Sequence, residues 1–479
     1  MGTAHGARAA LLADLRGSLG DDRVRDGAAE LSLYRHDAGH MQGAAVAVCF
    51  PLTTAEVVAC VRTAVAHGVP FVARGSGTGL AGGAVPPEGA VVISITKMNK
   101  VLSVDAATRR AWVEPGVLNL DLSRHVAGDG LHFAPDPSSQ QTCTIGGNVA
   151  NNSGGPHCLS EGVTSSHIVA IEVVLPDGSV AMLGGEDPEP TGYDLRGTFV
   201  GSEGMCGIAT AICVRLTQDP RIVRTMLLDF ETVEDGASTV SDIIAAGIVP
   251  AALEMMDRLC LAAVEAYIHA GLPEDAAAAL LVEIVGEADG VEADTAAVVA
   301  IAERRAVRTV RLAADEAERA LLWKGRKSAF GAIARIKPNY YLHDTVVPRR
   351  ELPGVLAQVY EIAARHRLDV LNVFHAGDGN LHPLLLFDAR EPGIMERVHA
   401  AGDEIVTASV AAGGVLSGEH GIGLEKRDLM PLMFSAVDLE AQGALRDAFD
   451  PVGLANPGKV LPSPARCADM QSAPAGAWI

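Results

Sequence analysis

The sequence predicts an α+β chain of more than one domain. Three observations carry this reading. The chain runs to 479 residues, more than a single core usually organises. Its N-terminal half alternates short apolar strands with helix-period segments. Between residues 222 and 412, apolar strands such as 280–285 alternate with alanine-rich helices such as 291–306, the pattern of helices laid over a sheet.

Residues 7–16 read as an amphipathic helix, and 45–50 as a buried strand. Thr53-Thr-Ala-Glu56 is a capping box that opens an Ala/Val-rich helix, which stops at Gly68 ahead of Pro70. Residues 71–73 form the next strand and feed a glycine-rich loop holding Arg74, Gly75, Ser76, Gly77, Thr78, Gly79 and Gly82. Glycines let backbone N–H groups approach an anion closely, and Arg74 adds positive charge. Gly77, Gly79 and Gly82 fit the pattern G-x-G-x-x-G, but a dinucleotide site of that type needs a helix straight after the glycines. Here 84–89 leads into a strand at 90–95, so the loop reads as a phosphate cradle without a helix dipole. A helix near 118–126 precedes a second polar, glycine-rich stretch, Pro135, Asp136, Ser138, Thr144, Gly146, Gly147, Asn148, Asn151 and Gly154, able to line a flat heterocycle and a pyrophosphate. A hairpin follows, 168–175 with 179–183, over Pro176-Asp-Gly178. Glu203, Gly204, Gly207 and Ile208 then lead into a strand reaching Leu216.

Near the C-terminal end stand His375-Ala-Gly-Asp-Gly-Asn-Leu-His382 and Ser417-Gly-Glu419-His420. The first is a tight turn between two apolar runs, 371–374 and 383–387, and a hairpin with that turn aims both histidines into one site. Neutral imidazoles suit a borderline divalent ion such as zinc, and Glu419 is the carboxylate in reach to complete the set. His420 beside it is a candidate base. A lone histidine more often fills a polar corner of a core; two glycine-flanked clusters reverse that preference.

Composition excludes several classes. A net charge of −21 argues against nucleic acid, which needs a basic face, and weakly against an anionic membrane surface. No apolar run has the length of a membrane span, and the N-terminus lacks the apolar core of a signal peptide. The eight cysteines form no Cys-x-x-Cys pair, which fits a reducing compartment and gives no iron–sulfur ligand set.

Taken in order, 51–57, the Arg74–Gly83 loop, Thr144-Ile-Gly-Gly-Asn148, Gly201-Ser-Glu-Gly204 and the two histidine motifs resemble the FAD-linked oxidases of the vanillyl-alcohol oxidase superfamily. The match runs over roughly residues 30–462 and is similar to the branch of D-lactate dehydrogenase, D-2-hydroxyglutarate dehydrogenase and the FAD subunit of bacterial glycolate oxidase. Trp323-Lys-Gly-Arg-Lys327, Tyr340-Tyr-Leu-His-Asp344 and Ala455-Asn456-Pro-Gly-Lys459 point to the last of these.

The resemblance implies a two-lobed FAD-binding domain at 40–220, a cap or substrate domain with an antiparallel sheet at 221–415, and a segment 416–462 returning to the FAD domain. An N-terminal helical segment (1–39) and a loose tail (463–479) flank them. It implies noncovalent FAD held by the two glycine-rich stretches, 201–208 and Asn456. It implies a divalent metal, zinc before manganese or iron, on His375, His382 and Glu419. It implies oxidation of a small 2-hydroxy acid (glycolate or D-lactate), with His420 taking the hydroxyl proton, flavin N5 the hydride, Arg326 the substrate carboxylate and Asn380 assisting. Electrons would leave to a partner or quinone chain through iron–sulfur and second flavin subunits. A homodimer and a cytoplasmic location, peripheral at the inner membrane through a partner, are compatible. Leu342 stands near the place of a lysine in the 2-hydroxyglutarate branch, which speaks against a dicarboxylate. A D-2-hydroxyglutarate-type dehydrogenase, a zinc hydrolase, a nicotinamide-fed flavin reductase and a scaffold subunit are the alternatives.

Overall fold

A computed structural model describes residues 2–186 and 192–462 of the chain. The expected loose tail lies outside the described residues. Two compact units emerge, one built from three stretches of sequence and the other from two.

Unit one takes residues 2–154, 163–219 and 419–462, apart from 187–191. Its first sheet has the order Val24–Arg25, Ala45–Cys49, Ala90–Ser94, Phe71–Arg74; the last three strands are parallel. Parallel neighbours need a crossover, and the helix Thr54–Ala66 supplies it. The Thr53 hydroxyl accepts from the Glu56 N–H to start that helix. Val57, Cys60, Val61 and Ala64, spaced for one helical face, pack with Leu11, Leu12 and Leu15 of the helix Gly2–Leu19. That helix is longer than the 7–16 segment read from sequence. The second sheet is antiparallel: Val101–Asp105, Arg110–Val113, Ile208–Arg215, Ile168–Val174, Val180–Gly184. The last two form the expected hairpin, with Val174 opposite Val180. The C-terminal stretch closes the edge of the first sheet. Phe71 N–H donates to the Leu454 carbonyl (2.9 Å), and Asn456 N–H donates to the Phe71 carbonyl (2.8 Å).

Unit two takes residues 220–418 together with Gly155–Gly162. The short excursion falls inside the span that the sequence assigned to one continuous domain. The sheet here has nine strands, with the central order Val307–Leu312, Ile222–Phe230, Ala278–Gly286, Ala252–Asp257, Asp369–His375, Asn380–Leu381, Thr345–Val346. All of its pairings are antiparallel. Side chains alternate between faces, so Ala278, Leu280, Val282 and Ile284 share one face with Met226, Leu228, Phe230, Leu253, Met255 and Phe374. Four helices cover it, Val233–Ala245, Ala288–Arg304, Leu352–Arg365 and Ile394–Ala411, each contributing residues to the same core. The second of these was expected at 291–306. It begins three residues earlier, despite Gly290, because Val291, Val298, Ile301 and Ala302 are buried against the sheet, and it ends before Ala306, which turns left-handed (φ 53°). Tertiary burial overrides the weak local propensity there.

The opposite face of the sheet carries the intervening residues, and these include Glu254, Glu283 and His375, all buried. One face of the sheet is therefore an apolar core, and the other sets these charged groups among buried Ala279, Leu281, Met256 and Val373. Leu280 lies at the centre of the apolar face with no exposure. Leu280→Ala is expected to cost about 2–5 kcal/mol of stability, read as a shift in urea midpoint, because the void cannot fully collapse between sheet and helices.

Candidate active site

Glu254 and His375 sit directly opposite each other on neighbouring antiparallel strands. Directly paired residues point to the same face, so the register alone brings the two side chains together. His375 Nδ1 lies 2.8 and 3.0 Å from the two Glu254 oxygens. The buried Arg326, from the helix Glu316–Lys327, places Nη2 2.6 Å from Glu254 Oε2. Burial pushes the Glu254 carboxyl up, but His375 and Arg326 together hold it below the ordinary value. The Arg326 Nε is buried with no hydrogen-bond partner among the described residues.

The helix that carries Arg326 is pinned two turns earlier. Glu283 accepts from Arg319 through both carboxylate oxygens (2.9 Å each) and from the Trp323 indole (2.7 Å). His157, from the Gly155–Gly162 excursion, stacks on Trp323 and approaches Glu283 at 3.5 Å. Burial raises the Glu283 carboxyl, and His157, Arg319 and Thr225 outweigh it, so the group stays ionised far below the usual range.

The histidine hairpin forms as its turn residues predict. Strand Asp369–His375 pairs antiparallel with Pro383–Phe387, and His375 faces Asn380 across the turn. The rings of His375 and His382 stand edge to face, 5.0 Å apart at 81°. His382 Nε2 lies 3.5 Å from Asp344 Oδ1. Asp344 also accepts from the Ser417 hydroxyl (2.5 Å) and the Gly418 N–H (3.0 Å). With its amide turned to donate, Asn380 reaches Asp344 Oδ1 at 2.7 Å and the Thr345 carbonyl at 3.3 Å. A Cβ at Gly418 would stand 2.5 Å from Asn380 Cγ, so only glycine fits there. Glu419 is the next residue along the chain.

Unit one brings the glycine loops together with His420. Asn151 Nδ2 donates to the His420 carbonyl at 2.9 Å. The His420 imidazole Nε2 is 3.6 Å from Glu419 Oε1. Glu203 Oε1 accepts from the Ile422 and Gly423 N–H groups at 2.7 and 3.0 Å. Asn456 Nδ2 donates to the carbonyls of Gly83 and Glu203 (2.8 and 2.6 Å), and Lys459 Nζ donates to the Val85 carbonyl (2.7 Å). The loop after Phe71–Arg74 reaches Ala90–Ser94 with no helix between them, as read from the sequence. Gly77 is left-handed there (φ 74°), and a Cβ on it would overlap the Arg74 guanidinium. Gly79 and Gly204, by contrast, have nothing within 3.8 Å of an added Cβ, which leaves room for a ligand.

Other members of the predicted set also make contacts within the unit. The stretch 144–151 is not open chain: Ile145–Asn151 is a short helix capped by Thr144, whose hydroxyl accepts from the Gly147 N–H. Asn148 Oδ1 is taken by Asn119 Nδ2, which also donates to the Pro135 carbonyl. Gly146 lies against Pro115, and Gly207–Ile208 starts a core strand against Val174. Arg74 is buried over the Tyr34 ring (5.4 Å), and burial lowers its pKa while Asp37 and Tyr34 oppose that shift. Pro135, Asp136 and Ser138 fall in the irregular segment before this helix, Gly75 and Ser76 beside Arg74, and Thr78 next to Gly79.

Sequence reasoning missed Glu254 and Asp344 as site residues. A single acid inside the apolar run Ala251-Ala-Leu-Glu-Met-Met256 was the available signal, since a charge in a buried strand must find a partner.

Residues 219–460 match the family described as FAD linked oxidases, C-terminal domain, and residues 45–184 match the FAD binding domain. The glycolate oxidase subunit GlcD of Escherichia coli K12 is 48% identical over 401 residues, covering 84% of this chain and 80% of that one. The chain belongs to the FAD-linked oxidases. The Bacillus subtilis glycolate oxidase subunit GlcD is 40% identical, covering 93% of this chain and 96% of its own, and a D-lactate dehydrogenase of Anaerostipes hadrus is 31% identical over 85% and 88%. Among solved structures, p-cresol methylhydroxylase with substrate bound superposes with a TM-score of 0.80 at 18% identity, over 95% of this chain and 97% of its own. A 4-ethylphenol oxidase of Gulosibacter chungangensis gives 0.77 at 20%, over 96% and 98%. At those identities the likeness is one of fold, an α+β architecture shared along almost the whole chain. FAD is the cofactor of the family, and the open glycine backbone at 79 and 204 fits it.

Burial pushes the Glu203 carboxyl up to about 7, against the Gly423 and Ile422 N–H groups and Lys459. From about pH 4.5 to about 7 the unfolded chain has this group ionised while the folded chain keeps it protonated. The folded state binds more protons in that window, so stability falls as pH rises through it. Glu203→Gln is expected to remove a decline of roughly 3 kcal/mol between pH 4.5 and 7. Urea melts of flavin-free protein across that range read it; a parent protein with a flat profile there would contradict the burial argument.

Proposed function

We propose that this chain oxidises a small 2-hydroxy acid, glycolate or D-lactate, to the 2-oxo acid, using noncovalently bound FAD and a divalent ion. The observation that supports it most is a buried arginine with an unpartnered Nε, bonded to the same Glu254 that engages His375, whose ring stands edge to face with His382. The relatives' names, glycolate oxidase subunit and D-lactate dehydrogenase, fit that donor set. Bound FAD supplies the hydride acceptor, and a bound divalent ion supplies a Lewis acid for the substrate hydroxyl.

The chain's own residues do the rest. His375, with Nδ1 engaged by Glu254, offers Nε2 to the metal, as does His382; Glu419 completes the set with a hard oxygen ligand. Zinc suits two imidazoles and one carboxylate, with manganese and iron as the other candidates. Arg326 binds the substrate carboxylate through its remaining N–H groups. Asn380 fixes Asp344 and lies beside the substrate hydroxyl. His420 takes the hydroxyl proton, its backbone held by Asn151 and by Glu203 through the following loop. Electrons then leave to an iron–sulfur subunit with a second flavin subunit beside it; the GlcD relatives are themselves named as subunits. Among the described residues no helix is long and apolar enough to cross a membrane.

Anaerobic titration with D- and L-2-hydroxy acids should bleach the flavin with glycolate or D-lactate. His420→Ala should keep FAD and metal yet slow this bleaching about a hundredfold or more, the scale of a lost general base. Stopped-flow absorbance decides it: equal rates in parent and variant place the base elsewhere. Chelation should abolish turnover while flavin absorbance persists, and added zinc or manganese should restore it. Full activity in metal-free protein would remove the ion from the mechanism.

A further inference from the structure

Glu254 spends both oxygens within unit two. Oε1 lies 2.8 Å from His375 Nδ1, and Oε2 lies 2.6 Å from Arg326 Nη2. All three groups are almost fully buried. The carboxylate is fixed from below by its strand, which pairs with Ala278–Gly286 on one side and with the His375 strand on the other. It therefore has little freedom to follow either partner if that partner moves.

We infer that Glu254 is a positioning residue: one rigid carboxylate orients His375 for a divalent ion and Arg326 for a substrate carboxylate, gripping both ends of a 2-hydroxy acid from a single point. This rests on the reading of His375 as a metal ligand and Arg326 as the carboxylate anchor. An imidazole that donates Nδ1–H to a carboxylate carries its lone pair on Nε2, the tautomer a metal needs. The same contact makes the ring a stronger ligand. An arginine held through one terminal nitrogen presents its other N–H groups in a fixed plane, and the unpartnered Nε of Arg326 is such a donor. A lysine, with three rotatable donors on a single nitrogen, would not present such a fixed plane. If Glu254 were only a counter-charge for Arg326, its loss would change stability and substrate affinity but not the affinity for metal.

The test uses full-length flavoprotein stripped of metal by chelation, then titrated with zinc by calorimetry, with KM and kcat for glycolate and D-lactate measured after reloading. Glu254→Gln is expected to weaken zinc binding about 10–100-fold, the usual effect of losing a carboxylate behind a ligating histidine. KM should rise as well, because the amide cannot serve both partners. A glutamine facing a buried arginine could prevent folding, so the double variant Glu254→Gln with Arg326→Met is made in parallel. It removes the charge pair together and should show the same loss of zinc affinity, whereas Arg326→Met alone should keep zinc affinity and lose substrate affinity. Asp257→Asn is the control, since Asp257 is a buried acid on the same strand that serves Tyr360, Asn372 and the helix start at Cys260. It should lower stability with zinc affinity kept. Parent-like zinc affinity in both Glu254 variants overturns the inference while leaving the metal reading intact. A parent protein that takes up no zinc or manganese overturns the metal reading, and the inference with it.

Discussion

A carboxylate placed in the middle of a sheet, out of reach of water, dictates much of unit two. An ionised Glu254 without partners would be untenable, since removing one member of a buried pair costs about 3–5 kcal/mol. The strand register supplies His375, and the helix Glu316–Lys327 has to be brought over the sheet to supply Arg326. That helix in turn needs its own buried anchor, Glu283, against Arg319 and Trp323. The polar face of the sheet is thus a chain of dependent charges, each justified by the next. The apolar face, under four helices, provides the stability that such a costly face does not.

Unit one meets the same constraint with different means. Its buried carboxyl, Glu203, is held at Oε1 by backbone N–H groups of a distant loop, Ile422 and Gly423, rather than by an arginine, while Oε2 has no hydrogen-bond partner among the described residues. Lys459 lies close enough to pull against the upward shift, and burial lowers its own pKa to about 8. The effect is to fasten the residues that follow His420 onto the glycine loops. A side chain proposed to move a proton is thereby carried on backbone fixed at two points, by Asn151 at the His420 carbonyl and by Glu203 two residues later.

The parts legible in the sequence were those written in local pattern. The hairpin through His375 and His382 announced itself by a Gly-Asp-Gly-Asn turn between apolar runs, and the helix at 54–66 by its capping Thr53. The passage of the glycine-rich loop after Arg74 into a strand, with no helix between, was equally plain. What escaped was written in register and distance. Glu254 is 121 residues from His375, and only the pairing of two strands reveals that they touch. Asp344 looked like part of a motif, yet its work, holding Ser417 and Gly418, lies some seventy residues away. The short helix Ile145–Asn151 was obscured by its own glycines, because packing of Ile145 and Val149 supplies what propensity withholds.

The edge strand Phe71–Arg74 has a neighbour that is made only long after it, the stretch around Leu454–Asn456. During synthesis, unit two has all its residues once position 418 is added, whereas unit one, begun first, still lacks the piece that covers its edge and the loop that receives Glu203. The middle of the chain is therefore the first unit to have all its residues made. In the interval, an unpaired row of backbone groups at 71–74 stands open to any passing strand. For an acidic chain, mutual repulsion between copies is a safeguard during that wait, and residues 419–462 act as the latch that ends it.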